Sequence, residues 1–224
     1  MKKSHVSWRR KNLRLRNLFA FYFLLLTVVF STGVVANESE NQLDKFLEGL
    51  ETLTASFEQT LLNEYGEELD KSLGVVQLRR PGMFHWQYLE PYAQTLISDG
   101  SILWVYDEDL EQLTIRDISN IIEDSPAAIL GGDIDIDAHY IVIDVEGSED
   151  IDWLELTPRD VESQYSAIRL GFRDGQLLSM ILFDNLGQTT QIKLLDIKRN
   201  LPMDIGLFQF TAPEGVDVID SREP

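Results

Sequence analysis

Apolar residues along most of this chain recur with the two-residue period of β-strands. From Ala55 onward, short runs rich in Val, Ile, Leu and aromatic residues alternate with turn residues such as Asp174-Gly175. Because short turns join antiparallel neighbours, the pattern indicates a meander rather than alternating strands and helices. It predicts about eleven strands, near 55–63, 71–79, 83–89, 93–98, 101–106, 110–116, 139–146, 151–157, 165–172, 176–183 and 188–198.

Two segments depart from the strand pattern and predict helices. Near the start of the strand region, apolar residues recur at helical spacing and form one amphipathic stripe, made of Leu43, Phe46, Leu47, Leu50 and Leu53. The apolar segment Ile118–Gly132 contains Ser125-Pro126, a typical helix start, and fits two short helices.

Several strands carry more apolar residues than one buried face requires. In Met83–Tyr88, the residues Phe84, Trp86 and Tyr88 alternate with more polar ones, and Ile102–Tyr106 is apolar on both sides. We therefore expect a mainly β fold with some α structure: an unclosed, or half, antiparallel β-barrel with an N-terminal amphipathic helix and a short helical lid over an apolar cavity. The alternative is an ordinary packed barrel core without internal space.

The N-terminus has the organisation of an export signal. Seven basic residues precede the apolar run Leu18–Phe30, and Val34-Val35-Ala36 follows as a small-residue cleavage site. The run is shorter than the roughly 20 residues that a membrane-spanning helix needs. No cysteine is present for lipid attachment. We expect residues 1–36 to be removed and residues 37–224 to form a single domain, soluble in the periplasm.

The remaining domain is strongly acidic. The chain has 19 Lys and Arg against 38 Asp and Glu, and seven of the basic residues lie in the signal, which leaves 12 against 38, or −26. Such a surface repels phosphate backbones and anionic headgroups, which argues against nucleic-acid binding and against direct adsorption to membranes. The absence of cysteine excludes thiol nucleophiles and disulfides.

No catalytic or metal-binding motif is evident. Beyond the signal, the histidines are His85 and His139, and no nucleophile elbow, zinc motif or phosphate-binding loop occurs. Four aspartates, Asp133, Asp135, Asp137 and Asp144, partly match a calcium loop. Ala138 replaces its glycine, however, and alternation with isoleucines favours a strand. We predict no enzyme, cofactor or metal, with a hydrolase using paired acids as an alternative.

A set of motifs spread along the chain resembles one known family. The motifs are Arg80-Pro81-Gly82-Met83-Phe84-His85-Trp86, Ser98-Asp99-Gly100, Leu103-Trp104-Val105-Tyr106, Ser125-Pro126-Ala127-Ala128-Ile129-Leu130, Asp184-Asn185-Leu186-Gly187 and Phe208-Gln209-Phe210 with the following Pro213-Glu214-Gly215-Val216-Asp217. Together they resemble the periplasmic outer-membrane lipoprotein carrier family, LolA.

The resemblance implies a monomeric carrier with a helical lid over an apolar cavity. Such a carrier takes acylated lipoproteins from an inner-membrane ABC transporter and delivers them to an outer-membrane lipoprotein acceptor. A binding module for free lipids or other hydrophobic ligands is the alternative.

The resemblance also implies roles for individual residues. Arg80 matches an arginine that bonds to the lid and holds the empty cavity shut, while Arg79 is expected to face the other way. The residues expected to line the cavity are Phe84, Trp86, Leu62, Leu96 and Trp104, with Ala128, Ile129 and Leu130 on the lid helix. For the wall positions, packing in an ordinary core is the alternative.

Overall fold

Twelve strands form one continuous sheet in the computed structural model of the protein, which describes residues 41–118, 126–132, 135–147 and 150–222. All eleven strands expected from the sequence are present. The strands are β1 (Thr52–Leu62), β2 (Glu68–Arg79), β3 (Met83–Glu90), β4 (Gln94–Asp99), β5 (Ile102–Asp107), β6 (Gln112–Asp117), β7 (Tyr140–Val145), β8 (Asp152–Pro158), β9 (Tyr165–Arg173), β10 (Gln176–Asp184), β11 (Thr189–Arg199) and β12 (Asp217–Asp220).

The strand order explains why the barrel is unclosed. It runs β12-β6-β5-β4-β3-β2-β1-β11-β10-β9-β8-β7, so β1 joins two meanders by pairing with both β2 and β11. The two end strands, β12 and β7, are not neighbours in this order. Strand β12, which the sequence did not predict, pairs in parallel with β6. Its apolar pair Val218-Ile219 is too short, between two aspartates, to stand out as a strand.

The N-terminal helix is shorter than predicted. Helix α1 (Gln42–Leu47) begins after Asn41, whose side chain accepts a hydrogen bond from the backbone N–H of Asp44. It ends before Gly49, which has φ +62°, a left-handed conformation that stops a helix. Leu50 and Leu53 are therefore not helical, and the prediction that they extend this helix is wrong. Both are nevertheless buried, Leu53 as part of β1.

Two further short helices follow β6. Helix α2 (Pro126–Gly131) lies in the segment where the sequence predicted helices. Helix α3 (Ile136–His139) lies just beyond that segment, where strand alternation was expected. The side chain of Asp135 accepts a hydrogen bond from the N–H of Ala138 and caps α3, which favours the helix. Residues 119–125, which the lid prediction includes, and Asp133 of the partial calcium loop lie outside the described residues.

The two faces of the sheet pack against different elements. The face that carries Phe57, Val76 and Phe84, here called the inner face, forms the main hydrophobic core with α1 and α2. Phe46 of α1 meets Phe172 edge to face, with their ring centroids 6.0 Å apart.

On the opposite, outer face of β3 to β6, Ile97 and Leu113 are buried. The C-terminal segment reaches these strands: a 3-10 helix, Ile205–Phe208, lies against β3 and β4. The rings of Phe210 and Tyr106 are 5.3 Å apart.

An arginine anchors the end of α1 to the sheet. The Nη2 group of Arg199 on β11 donates hydrogen bonds to the carbonyl oxygens of Phe46, at 2.6 Å, and Glu48, at 3.3 Å. Its guanidinium also lies over the Phe46 ring, 4.9 Å from the centroid. A cation at a helix C-terminus satisfies carbonyls that lack partners within the helix.

Replacing this anchor is expected to loosen α1. Arg199→Leu should lower the free energy of unfolding by about 1.5–3 kcal/mol, the range for hydrogen bonds to charged groups. Faster amide hydrogen exchange in residues 42–48 checks the local effect. Lys198→Leu is the matched control, because Lys198 is exposed on the same strand. Equal losses in the two variants would contradict the anchoring role.

Candidate functional site

Three aromatic side chains form a cluster on the inner face of β1 and β3. The ring of Phe57 lies 4.8 Å from that of Trp86 and 5.2 Å from that of Tyr88. The Tyr88 hydroxyl donates to Oε1 of Gln59 at 3.1 Å. Burial raises the pKa of Tyr88, so this hydroxyl stays protonated at neutral pH. The other polar atom of the cluster is the indole Nε1 of Trp86, which is buried and has no hydrogen-bond partner among the described residues.

A glycine on β2 makes room for the cluster. Gly74 is paired directly with Phe57, and a Cβ atom at this position would overlap both the Phe57 ring and the carbonyl oxygen of Gln87 on β3. The ring therefore lies over the glycine backbone. Phe57 and Gly74 were not among the predicted site residues. The signal in the sequence that points to them is a glycine inside a strand pattern, which marks a close approach of two chain segments.

Most of the residues expected to line a cavity share the inner face. Phe84 and Trp86 are almost fully buried, and Leu96 pairs directly with Trp86 and packs against the same core. From α2, Ile129 and Leu130 enter this core as well. The side chain of Ala128 lies outside the described part of the protein. The apolar hollow itself stays a prediction.

Two of the expected wall residues are on the other face. In the register of β3 to β5, His85 pairs with Ile97, and Ile97 pairs with Trp104. Directly paired residues point to the same side, so Trp104 faces away from Phe84 and Trp86. Leu62 alternates with Leu61 and likewise points away from the side of β1 that carries Phe57. Neither residue belongs to the inner wall, because strand register decides the face.

The lid helix is joined to the sheet by a backbone hydrogen bond. The N–H of Gly82, in the β2–β3 turn, donates to the carbonyl oxygen of Gly131 at the end of α2, at 2.7 Å. The Gly82 carbonyl accepts from the Ser98 hydroxyl at 3.1 Å, and the same hydroxyl accepts from the N–H of Gly100 at 3.0 Å. Buried Ser98 thus ties the turn that holds α2 to the neighbouring β4–β5 turn.

Arg80 lies beside this connection, and within the described ranges its side chain makes no hydrogen bond to the lid. Its backbone N–H donates to the carbonyl of Glu51 at 2.9 Å, while Nη1 is buried and has no hydrogen-bond partner. Arg79 and Arg80 line the same polar cleft of about 490 Å³, with Glu51, Thr52, Asn200, Leu201, Pro202 and Met203. Arg79 is therefore a close neighbour of Arg80 in this cleft, and the expectation that the two side chains face opposite ways stays a prediction.

The family model that describes the outer membrane lipoprotein carrier protein LolA matches residues 48–211, and so covers β1 to β11 and the lid. The chain belongs to the LolA family. Similar proteins include the outer-membrane lipoprotein carrier protein of Dechloromonas aromatica, 36% identical over 94% of this chain and 99% of its own length. That of Nitrosospira multiformis is 36% identical over 90% and 95%.

One solved structure has a similar fold. An uncharacterized conserved protein from Thermus thermophilus superposes with a TM-score of 0.51 and 16% sequence identity, covering 80% of this chain and 96% of its own. At this identity the likeness concerns the fold alone.

One histidine of this LolA family member, His85, is partly buried on the outer face. Burial lowers the pKa of His85, which favours a neutral imidazole on the outer face. Among the described residues, no group of three or more His, Cys, Asp and Glu side chains is placed to hold a metal ion. None of the described helices has the length and apolar character required to cross a membrane.

Proposed function

We propose that this protein is a periplasmic carrier that binds the acyl chains of lipoproteins. The observation that carries the proposal is the match to relatives named outer-membrane lipoprotein carrier protein over nearly their whole length. The continuous apolar inner face beneath a short lid helix supports it. In the proposed cycle, an inner-membrane ABC transporter supplies the lipoprotein and an outer-membrane lipoprotein acceptor receives it.

The signal and the domain boundary belong to the same proposal. Residues 1–36 direct export and are removed after Ala36, and residues 37–224 form the working carrier domain. The basic start, the short apolar run and the small residues before the cut support this division.

The energetics of acyl chains explain why a carrier needs an apolar interior. Each methylene exposed to water costs about 0.8 kcal/mol, so one sixteen-carbon chain costs roughly 12 kcal/mol. An apolar inner face lowers this cost during passage through the periplasm.

In the proposed binding step, α2 moves away from the inner face. The helix has six residues and is held to the β2–β3 turn by the Gly82–Gly131 hydrogen bond. Opening withdraws the fully buried side chains of Ile129 and Leu130, which costs about 3–6 kcal/mol, and burial of the acyl chain offsets this cost. Displacing α2 withdraws Ile129 and Leu130 from the core and exposes Phe84 and Trp86, which then contact the acyl chain in their place.

The carrier function is tested by extraction of lipoprotein from membranes. Purified residues 37–224, mixed with inner-membrane vesicles that bear newly made lipoprotein, should yield water-soluble complexes that contain both proteins. Lipoprotein that stays entirely with the vesicles would contradict the proposal. Mass spectrometry of the purified protein distinguishes the alternative, because bound phospholipid without acylated protein indicates a module for free lipids.

Arg80 is proposed to act on the opening of the lid. Its buried, unpaired Nη1 costs stability, so Arg80→Leu should keep the free energy of unfolding within about 1 kcal/mol of the wild-type value while it changes the rate of lipoprotein loading or release. Arg79→Leu, in the same cleft, is the matched control. Loading and release rates that change equally in both variants would show that the cleft's charge matters and that Arg80 has no special role.

A further inference from the structure

The most exposed large apolar side chains of the described residues are gathered at one end of the sheet. They are Tyr65 (79% exposed), Tyr92 (70%), Leu110 (68%), Val161 (96%) and Leu186 (83%). Each is in a different turn: 63–67, 91–93, 108–111, 159–164 and 185–188. The strand order places all five turns at the end opposite the Gly82–Gly131 contact. We call these five turns the turn rim.

Hydrogen bonds and close contacts join neighbouring turns of the rim. The side chain of Asn185 donates to the carbonyl of Ser163 at 2.7 Å, linking the turns that carry Leu186 and Val161. A Cβ atom at Gly187 would lie 3.3 Å from Cβ of Glu64, next to Tyr65. The N–H of Glu108 donates to the carbonyl of Ala93 at 3.1 Å, joining the other two turns.

This arrangement differs from the scattered apolar residues of an ordinary surface. Single exposed leucines are common and need no explanation, whereas apolar side chains grouped on one surface mark an interaction site. All five of these side chains lie in turns at the same end of the sheet. Turns 63–67, 159–164 and 185–188 are linked to one another, and turn 91–93 is linked to turn 108–111, so the apolar tips lie on two fixed groups of turns at this end.

The charge of the turn rim indicates the chemistry of its partner. The five turns contain seven acidic residues, Glu64, Glu67, Glu108, Asp109, Glu111, Asp160 and Glu162, against one basic residue, Arg159. The guanidinium of Arg159 donates to the carbonyl of Asp137, on α3. Anionic phospholipid surfaces repel such a rim. A basic protein surface attracts it and speeds association.

We infer that the turn rim is a docking surface for a membrane-held protein with a basic surface and apolar contact sites. The inference rests on the proposed carrier function, because a carrier has to meet a donor and an acceptor held in membranes. Docking at this end leaves α2 and its contact with Gly82 uncovered. The lid is then free to open while the carrier stays attached.

The experiment compares two variants of equal size in a vesicle-binding assay. The rim variant combines Tyr65→Ser, Val161→Ser and Leu186→Ser. The control variant combines Ile143→Ser, Leu195→Ser and Ile205→Ser, which are exposed apolar residues outside the rim. Labelled protein is sedimented with inner-membrane and outer-membrane vesicles of the source bacterium, with the periplasmic side outward. Two further samples serve as controls. One is the same vesicles after trypsin treatment, and the other is protein-free vesicles of phosphatidylethanolamine and phosphatidylglycerol.

Wild-type and control proteins should bind at least one kind of intact vesicle, and the rim variant should bind at least about tenfold more weakly, as truncation of anchoring interface residues does. Binding should disappear after trypsin treatment and weaken as salt rises from about 0.05 M to about 0.5 M. Equal binding of the two variants, equal binding to protein-free vesicles, or no binding of wild type would each overturn the inference.

A second measurement separates this inference from the proposed function. A diacylated, uncharged lipopeptide in solution tests acyl binding without any membrane partner. The rim variant should bind it as tightly as wild type does. If wild type binds the lipopeptide and the two variants bind vesicles equally, the docking inference alone fails. If wild type binds vesicles and does not bind the lipopeptide, the carrier function fails.

Discussion

Brominated acyl chains are expected to quench the fluorescence of Trp86 strongly and to leave that of Trp104 almost unchanged. Bromine quenches indoles that it contacts closely, so the measurement reports which tryptophan the acyl chain touches. Trp86 is on the inner face beside Phe57, whereas the strand register puts Trp104 on the outer face with Ile97. The two residues are on adjacent hairpins, which makes them a matched pair of probes.

The measurement uses two single-tryptophan forms of the 37–224 domain. One carries Trp104→Phe and Trp153→Phe and retains Trp86; the other carries Trp86→Phe and Trp153→Phe and retains Trp104. Each is titrated with a diacylated lipopeptide whose chains are brominated, and with its unbrominated counterpart as the control. Quenching of Trp104 equal to that of Trp86 would contradict an acyl site on the inner face, and so would an unchanged Trp86 signal.

Gly74→Ala is expected to destabilise the fold by about 3 kcal/mol or more, the upper part of the range for overpacking. The added Cβ atom meets the backbone carbonyl of Gln87 and the ring of Phe57. The carbonyl belongs to the β2–β3 pairing and cannot turn aside as a flexible side chain can. A loss of this size lowers the melting temperature by roughly 6–12 °C in a domain of this length.

Gly131→Ala is the matched control for this substitution. A Cβ atom at Gly131 would lie 3.7 Å from Cβ of Leu78, an ordinary contact distance. Its effect on unfolding should stay within about 1 kcal/mol, because alanine is also the better helix former. Denaturant unfolding of both variants measures the difference. A Gly74→Ala variant as stable as Gly131→Ala would show that Phe57 and the β2–β3 pair adjust freely, and the close approach would have no structural importance.

An arginine side chain bonds a helix end in this protein at α1, and its place in the chain is far from Arg80. The resemblance implied that the Arg80 side chain bonds to the lid. The arginine that bonds a helix end is Arg199, with hydrogen bonds to Phe46 and Glu48. The end of α2 is bonded instead by the backbone N–H of Gly82. The motif placed Arg80 correctly near the turn that contacts α2. Which groups its side chain bonds depends on distances between segments that are far apart in the chain.

The strand positions were predictable because alternation is local. Eleven strands follow from runs of apolar residues and the turns between them, and the twelfth, Asp217–Asp220, has too few residues to give a pattern. The resemblance to the family, and not alternation, implied the inner position of Phe84, Trp86 and Leu96. The prediction that Trp104 lines the inner wall is wrong because β5 is apolar on both sides. The C-terminal segment covers neighbouring strands on the outer face, so apolar residues are needed there as well. Alternation separates two faces but does not tell which one becomes the inside.

By itself, the sequence determined a cysteine-free, acidic β-meander with a lid segment and the motifs of one family, and it predicted an export signal, because composition, period and motif order are properties of the chain alone. Only the tertiary structure decided which face each side chain occupies, which arginine caps a helix, and that five apolar turn tips meet at one end. These depend on register and strand order, which are set when segments far apart in the chain pair with one another.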